Sequence, residues 1–181
     1  MKLPEIKPGE WVAIDANILI YANQQQSAEC VQLLRRCALR EVRAIVPVPV
    51  LAETMHTLML IEARENGWIG RANPSRALAE HPDRVRRLSR YEAQMREFLG
   101  IGLRVEPALA CDLLDAMGIQ REFGLLTNDA LLLAVARRLN CTAIASADRA
   151  FRDLRGVLIY EPGDVGGEDA GIPGRKEESA R

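Results

Sequence analysis

VAIDANILIYA, residues 12–22, joins two apolar segments through one acid, Asp15. The first segment, with Trp11 in front of it, suits a short buried strand over residues 11–15 that feeds a turn. The second reads as a helix over residues 17–23. The same alternation repeats outward. In residues 27–41, Cys30, Val31, Leu33, Leu34, Cys37 and Ala38 fall near a 3.6-residue period, which predicts a helix. Residues 44–47 (AIVP) read as a second strand. The helix that follows, over 49–64, is apolar on nearly every side and is expected deep in the core.

Residues 65–82 carry Asn66-Gly67, Gly70, Asn73-Pro74 and His81-Pro82, the marks of a loop or a broken helical link. Beyond them come an arginine-rich helix at 83–99, a strand at 102–106 and helices at 107–122 and 127–139. A strand at 141–145, a helical turn at 148–154 and a last strand at 157–160 complete the pattern. Strands alternating with helices predict an α/β domain with a mainly parallel sheet covered on both faces. In such sheets the active crevice lies at the carboxyl ends of the strands.

The chain has 181 residues, 48% apolar and 27% charged, which suits one globular domain over 1–162. Residues 163–181 have almost nothing to bury and are expected to be a disordered tail. The net charge is −1, so a wholly basic nucleic-acid binder is excluded while a local basic patch is not. Only 4% of residues are aromatic, too few for a platform of stacked rings. No apolar run is long enough to span a membrane and no secretory signal opens the chain, so a cytoplasmic location without membrane attachment is expected. Cys30, Cys37, Cys111 and Cys141 form no C-x-x-C pair and read as small core residues.

Four acids fall in the zone of strand ends and helix starts: Asp15, Glu53, Asp129 and Asp148. Asp15, Asp129 and Asp148 are each also explained as helix caps or first-turn residues. Glu53, among Val50, Leu51, Ala52 and Met55, either finds a partner or faces solvent, because a buried unpaired charge is costly. If the four meet, a pair about 5 Å apart repels by about 3 kcal/mol at an effective dielectric near 20. A cation relieves that repulsion. The donors are all oxygen, with Asn17, Asn128 and Ser146 beside them, which suits Mg²⁺ or Mn²⁺ rather than zinc. Such a cluster is a candidate for phosphodiester cleavage.

The same residues resemble the PIN-domain ribonucleases. The resemblance rests on Asp15 and Asn17 in VAIDANILIYA, Glu53 in VPVLAETMHTL, Asp129 with Ala130 and Ala134 in NDALLLAVARRLN, and Ser146, Asp148 and Phe151 in TAIASADRAF. VLIYEP is similar to the family's closing strand, and the likeness covers about residues 11–162. It implies a three-layer α/β/α sandwich and cleavage of single-stranded or structured RNA. It also implies that Asp15, Glu53, Asp129 and Asp148 hold Mg²⁺ or Mn²⁺ while Asn17 and Ser146 orient them. Many stand-alone members are VapC-type toxins held by a small antitoxin, and many form homodimers. The long link at about 62–100 and the tail depart from a minimal member. They leave open a ribonuclease outside any toxin system, or an inactive RNA-binding scaffold of the same fold.

Between residues 84 and 96 five arginines face one acid, Glu92. Arg84, Arg87 and Arg90 are candidates for RNA or partner contact, although a solvated helix explains them equally. Arg35, Arg36, Arg40 and Arg43 form a second such group. Glu53-x-x-His56 lacks the second copy a di-iron site needs. No phosphate-binding glycine loop and no G-x-S-x-G elbow occurs.

Overall fold

The central apolar runs form strands because their side chains are covered on both faces, while the two edge strands are only partly covered. The computed structural model describes residues 1–152 and 154–165. Its strands are β1 (Trp11–Ile14), β2 (Arg43–Pro47), β3 (Arg104–Glu106), β4 (Ala143–Ala145) and β5 (Leu158–Tyr160). All pair in parallel, in the order β3-β2-β1-β4-β5. Val12, Ala13 and Ile14 are wholly buried, as are Ile144 and Ala145. That burial is what a sheet between two helical layers requires.

The helices are α1 (Ala16–Asn23), α2 (Ala28–Ala38), α3 (Val48–Glu65), α4 (Pro74–Ala79), α5 (Pro82–Val85), α6 (Arg90–Gly100), α7 (Ala110–Phe123) and α8 (Thr127–Arg138). The chain builds outward from β1 through β2 and β3, then crosses back to lay β4 on the other side of β1. Right-handed crossovers, the rule for such connections, place α1 to α6 on one face and α7 and α8 on the other. This is the expected three-layer α/β/α sandwich. The reversal makes the gap between β1 and β4 the switch point where such sheets bind ligands.

α1 is buried from Ala16 to Ala22, as a helix apolar all round must be. α7 ends at Gly124, whose φ of 69° suits glycine, and the chain turns there into α8. Arg138 Nε to Asp112 Oδ1, 2.8 Å, fastens the two helices.

Several expectations change. α3 is apolar on most sides, and most but not all of it is covered: Val50, Leu51, Thr54, Thr57, Leu58, Leu60, Glu62 and Ala63 are buried, while Val48 and Met55 face out. Composition alone overstates its burial. The helix expected at 83–99 is two, α5 and α6, with a break over 86–89. The cause is Glu62. Its Oε1 accepts the backbone N–H groups of Ser89 (2.9 Å) and Arg90 (3.2 Å), and its Oε2 accepts that of Tyr91 (2.9 Å). An acid from another helix thus satisfies the opening N–H groups and fixes where α6 begins. Ahead of it, Ile69, Leu78 and Leu88 pack with Leu60 and Ala63 of α3 into a small core of their own.

At the amino end the chain forms a 3-10 turn at Leu3–Glu5, and Leu3 and Ile6 are buried. At the other end, Asp164 accepts from Ser27 Oγ (2.6 Å) and the Glu29 N–H (3.1 Å), which docks residues 163–165 at the start of α2. The rest of the expected tail lies outside the described residues. Cys30, Cys37 and Cys141 are core residues, and burial pushes the thiols of Cys30 and Cys37 up to about 12. Cys111 is exposed on α7 instead. No described helix is long and apolar enough to cross a membrane.

Candidate active site

The site grows from the end of β1. Asp15 follows the last strand residue and caps α1, so its carboxylate is fixed at the mouth of the β1–β4 gap. It is 3% exposed. Its Oδ1 accepts the Ala16 N–H (2.7 Å), and its Oδ2 accepts both Asn17 Nδ2 (2.6 Å) and Ser146 Oγ (2.7 Å). Asn17 is the second residue of α1, and Ser146 is the first residue after β4, so the two strand ends meet on this one carboxylate. Asn17 Oδ1 in turn accepts the Ala147 N–H (3.0 Å), and Ser146 Oγ accepts the Asp148 N–H (2.9 Å). Asp148 caps the 3-10 turn Arg149–Phe151 through the Ala150 N–H (2.9 Å). Asp15, Asn17, Ser146 and Asp148 therefore form one hydrogen-bonded group across 130 residues of chain. That group is what the parallel pairing of β1 with β4 brings together.

A second group forms across α3 and α8. Asn128 Nδ2 donates to Glu53 Oε2 at 2.7 Å. Glu53 is half-buried, one turn into α3, and its expected partner is thus an amide. Asp129, the next residue of α8, is 3% exposed. Among the described residues, no group of three or more His, Cys, Asp and Glu side chains could hold a metal ion as they stand. The hydrogen bonds drawn here join Asp15 to Asp148 through Ser146, and Glu53 to Asn128.

The donor set nevertheless fits a hard cation. Asp15 and Asp129 are buried carboxylates, and Asn17, Ser146 and Asn128 are neutral groups that satisfy lone pairs without adding charge. All available ligand atoms are oxygen, the chemistry of Mg²⁺ or Mn²⁺.

The arginines predicted for RNA or partner contact are occupied within the chain. Arg84 Nη1 donates to the Trp68 carbonyl (2.6 Å), Arg87 lies 4.8 Å over the Trp68 ring and Arg90 pairs with Glu65. They brace the stretch 66–89 between α3 and α6. His56, outside the acid groups, meets Ser75 Oγ at 3.0 Å and ties α4 to α3. Sequence reasoning missed Glu62. The signal was present: Glu62 follows Thr54 and Leu58 at four-residue steps, which puts it on the buried stripe of α3.

The PIN domain profile matches residues 12–157, a span that holds every acid of the site. No curated protein matches the chain by sequence. Solved structures with similar folds include VapBC2 from Rickettsia felis bound to a DNA fragment from its promoter. It has a TM-score of 0.57 at 13% identity, over 83% of this chain and 98% of that one. A toxin–antitoxin complex from Klebsiella pneumoniae has a TM-score of 0.53 at 15% identity, over 81% and 95%. VapC20 of Mycobacterium tuberculosis, a toxin that cleaves the sarcin–ricin loop, has a TM-score of 0.50 at 19% identity, over 78% and 92%. At such identities the likeness speaks to the fold. The profile match over most of the chain goes further, and this chain belongs to the PIN domain family.

Proposed function

We propose that the protein is an endoribonuclease that needs Mg²⁺ or Mn²⁺, acts in the cytoplasm and serves as the toxin of a toxin–antitoxin pair. The observation that carries this is Asp15, buried at the switch point and held by Asn17 and Ser146. Asp15, Asp129 and Asp148 would hold the ion, with Glu53 completing the set. The ion would supply charge for the phosphodiester and lower the pKa of a bound water.

The chain's own residues do the rest. Asn17 and Ser146 fix the rotamer of Asp15, and Asn128 fixes that of Glu53. Glu53, half-buried and held by Asn128, would orient a water or take its proton. The acids repel a bare phosphate backbone, so RNA approaches productively only when their charge is offset.

The antitoxin role rests on the resemblance to VapC-type toxins and on the toxin–antitoxin complexes among the similar folds. A homodimer belongs to the same reading. Leu109, Leu113 and Met117 form a stripe at four-residue steps on α7, with Leu114 beside it, and each is 42–69% exposed. Such an apolar helix face is self-complementary about a two-fold axis.

The test is incubation of the purified protein with total RNA and Mg²⁺ or Mn²⁺, beside an Asp15→Ala control, with the cut ends mapped. Discrete cuts made by the wild type and lost in the control support the proposal. Cuts that persist in the control, or no cuts with either ion, overturn it.

A further inference from the structure

A polar cleft of about 230 Å³ opens where the end of α1, the middle of α3 and α6 meet. Four amides line it: Asn23, Gln24 and Gln25 after the buried part of α1, and Gln94 on α6. Its charged groups are Glu62, Glu65 and Arg90. The geometry points to a binding subsite for a single nucleobase of the RNA, an inference that rests on the ribonuclease reading above.

The charged groups are already committed. Glu62 accepts the three backbone N–H groups that start α6, and Glu65 pairs with Arg90. Two carboxylates against one guanidinium leave the cleft with an excess of negative charge, which disfavours a phosphate. The amides are the groups left to meet a ligand. Gln24 Nε2 donates to Asn23 Oδ1 at 2.7 Å, while the side chains of Gln25 and Gln94 make no hydrogen bond among the described residues. An amide presents a donor and an acceptor side by side, the pattern that matches the edge of an unstacked base.

Two helices measure the position. α1 has eight residues and so is about 12 Å long, with Asp15 capping one end and the cleft at the other. From Glu53 along α3 to Ile61, also on the cleft wall, the rise is again about 12 Å. The cleft therefore lies about 12 Å from the acids along each helix, toward the amino ends of the strands, so a base bound there belongs to a nucleotide beyond the one being cut. Its volume is below the roughly 300–1,000 Å³ of sites for drug-sized ligands, so it takes one ring system. A peptide backbone offers similar hydrogen bonds, but a pocket of this size with mostly polar walls lacks the apolar anchors a peptide needs.

The experiment is a titration of ¹⁵N-labelled protein with adenosine, cytidine, guanosine and uridine, following the side-chain NH₂ signals. Ribose and N-acetylglycinamide serve as the sugar and peptide controls. At least one nucleoside should move the signals of Gln24, Gln25 and Gln94 well beyond either control. Gln94→Leu, or Gln25→Leu if the first melts early, should weaken that binding about fivefold or more. On RNA of random sequence, the wild type should favour one base near the cut and the same variants should flatten that preference. No shift with any nucleoside, an equal shift with the peptide control, or an unchanged base preference in both variants overturns the subsite. Nucleoside binding without RNA cleavage by the wild type would instead retain the base site and remove the ribonuclease reading.

Discussion

Asp15 and Glu62 are alike in kind and in surroundings, yet they are held in different ways. Both are carboxylates at 3–4% exposure, and both accept several hydrogen bonds. The donors to Glu62 are successive backbone N–H groups at the start of a helix, which cannot turn away while the helix exists. Two donors to Asp15 are the side chains of Asn17 and Ser146, which can rotate and re-pair. Glu62 lies inside a junction between helices, whereas Asp15 lies at the ends of β1 and β4 where the sheet reverses direction. A carboxylate held by backbone builds the fold. One held by rotatable groups at a strand end is available for chemistry.

Substitution should split the two. Asp15→Ala is expected to lower RNA cleavage about a hundredfold or more, the scale of losing a group that handles charge at the reacting centre. Its melting temperature should stay within a few degrees of the wild type, because its partners can pair with each other. Asn17 Nδ2 already lies 3.2 Å from Ser146 Oγ. Glu62→Ala is expected to melt about 5–10 °C lower, since it strands backbone N–H groups in a buried junction at a cost of about 2–3 kcal/mol. If Asp15→Ala melts as low as Glu62→Ala, the comparison fails and both acids are structural.

A divalent ion sharpens the same contrast. Mn²⁺ in large excess should raise the wild-type melting temperature by several degrees, as any ligand that binds only the folded state does. Asp129→Asn should lose most of that rise, while Glu62→Gln, remote from the strand ends, should keep it. An equal rise in the wild type and Asp129→Asn would put the ion elsewhere. A smaller effect concerns assembly. Leu114→Asp on the exposed face of α7 should convert a dimer into a monomer in sedimentation, and a wild type that sediments as a monomer removes the homodimer.

Much of this was legible in the sequence, and the reasons are local. β1, β2 and β4 are short apolar runs that end at or just before Asp15, Pro47 and Ser146, and a parallel sheet buries such central runs, while the edge strands β3 and β5 stay largely uncovered. VAIDANILIYA showed both β1 and the acid at its end, because a buried strand passing directly into a buried helix leaves one polar position between them. Asn128 was expected beside the four acids as a group, and its bond to Glu53 needed the packing of α3 on α8 to become visible. What stayed hidden depended on contacts distant in sequence. The break over 86–89 arises from Glu62, more than twenty residues earlier, and no local propensity marks it. The contacts of Arg84 and Arg87 with Trp68 and of Arg90 with Glu65 stayed hidden for the same reason, because those partners lie well before them in the chain. The exposure of Val48 and Met55 on α3 was hidden for the opposite reason. Hydrophobicity reports what a side chain prefers, while its cover is set by where neighbouring helices end.

Acid should expose the Glu62 clamp, and the sign follows from its surroundings. Burial pushes the Glu62 carboxyl up, but the N–H groups of Ser89, Tyr91 and Arg90 and the charge of Arg90 outweigh it, so the net shift is downward. A carboxyl lowered on folding stabilises the protein above its ordinary range, and that stability is lost as pH falls through the folded value. Asp112 is lowered too: burial opposes it, and the bonds it accepts from Arg138 and from the Leu109 N–H prevail. Glu161 is lowered by its bond to Arg152, and Asp164, against burial, by its bonds to Ser27 and backbone N–H groups, so acid melting of the whole chain mixes several sites and a local readout is needed. Hydrogen exchange at the amides of Ser89, Arg90 and Tyr91 should speed up as pH drops below the usual carboxylate range, beyond the change expected from intrinsic chemistry. In Glu62→Gln these amides should already exchange faster near neutral pH and show little further acid dependence. If they keep the wild-type pH profile, another group titrates there and the clamp does not rest on the charge of Glu62.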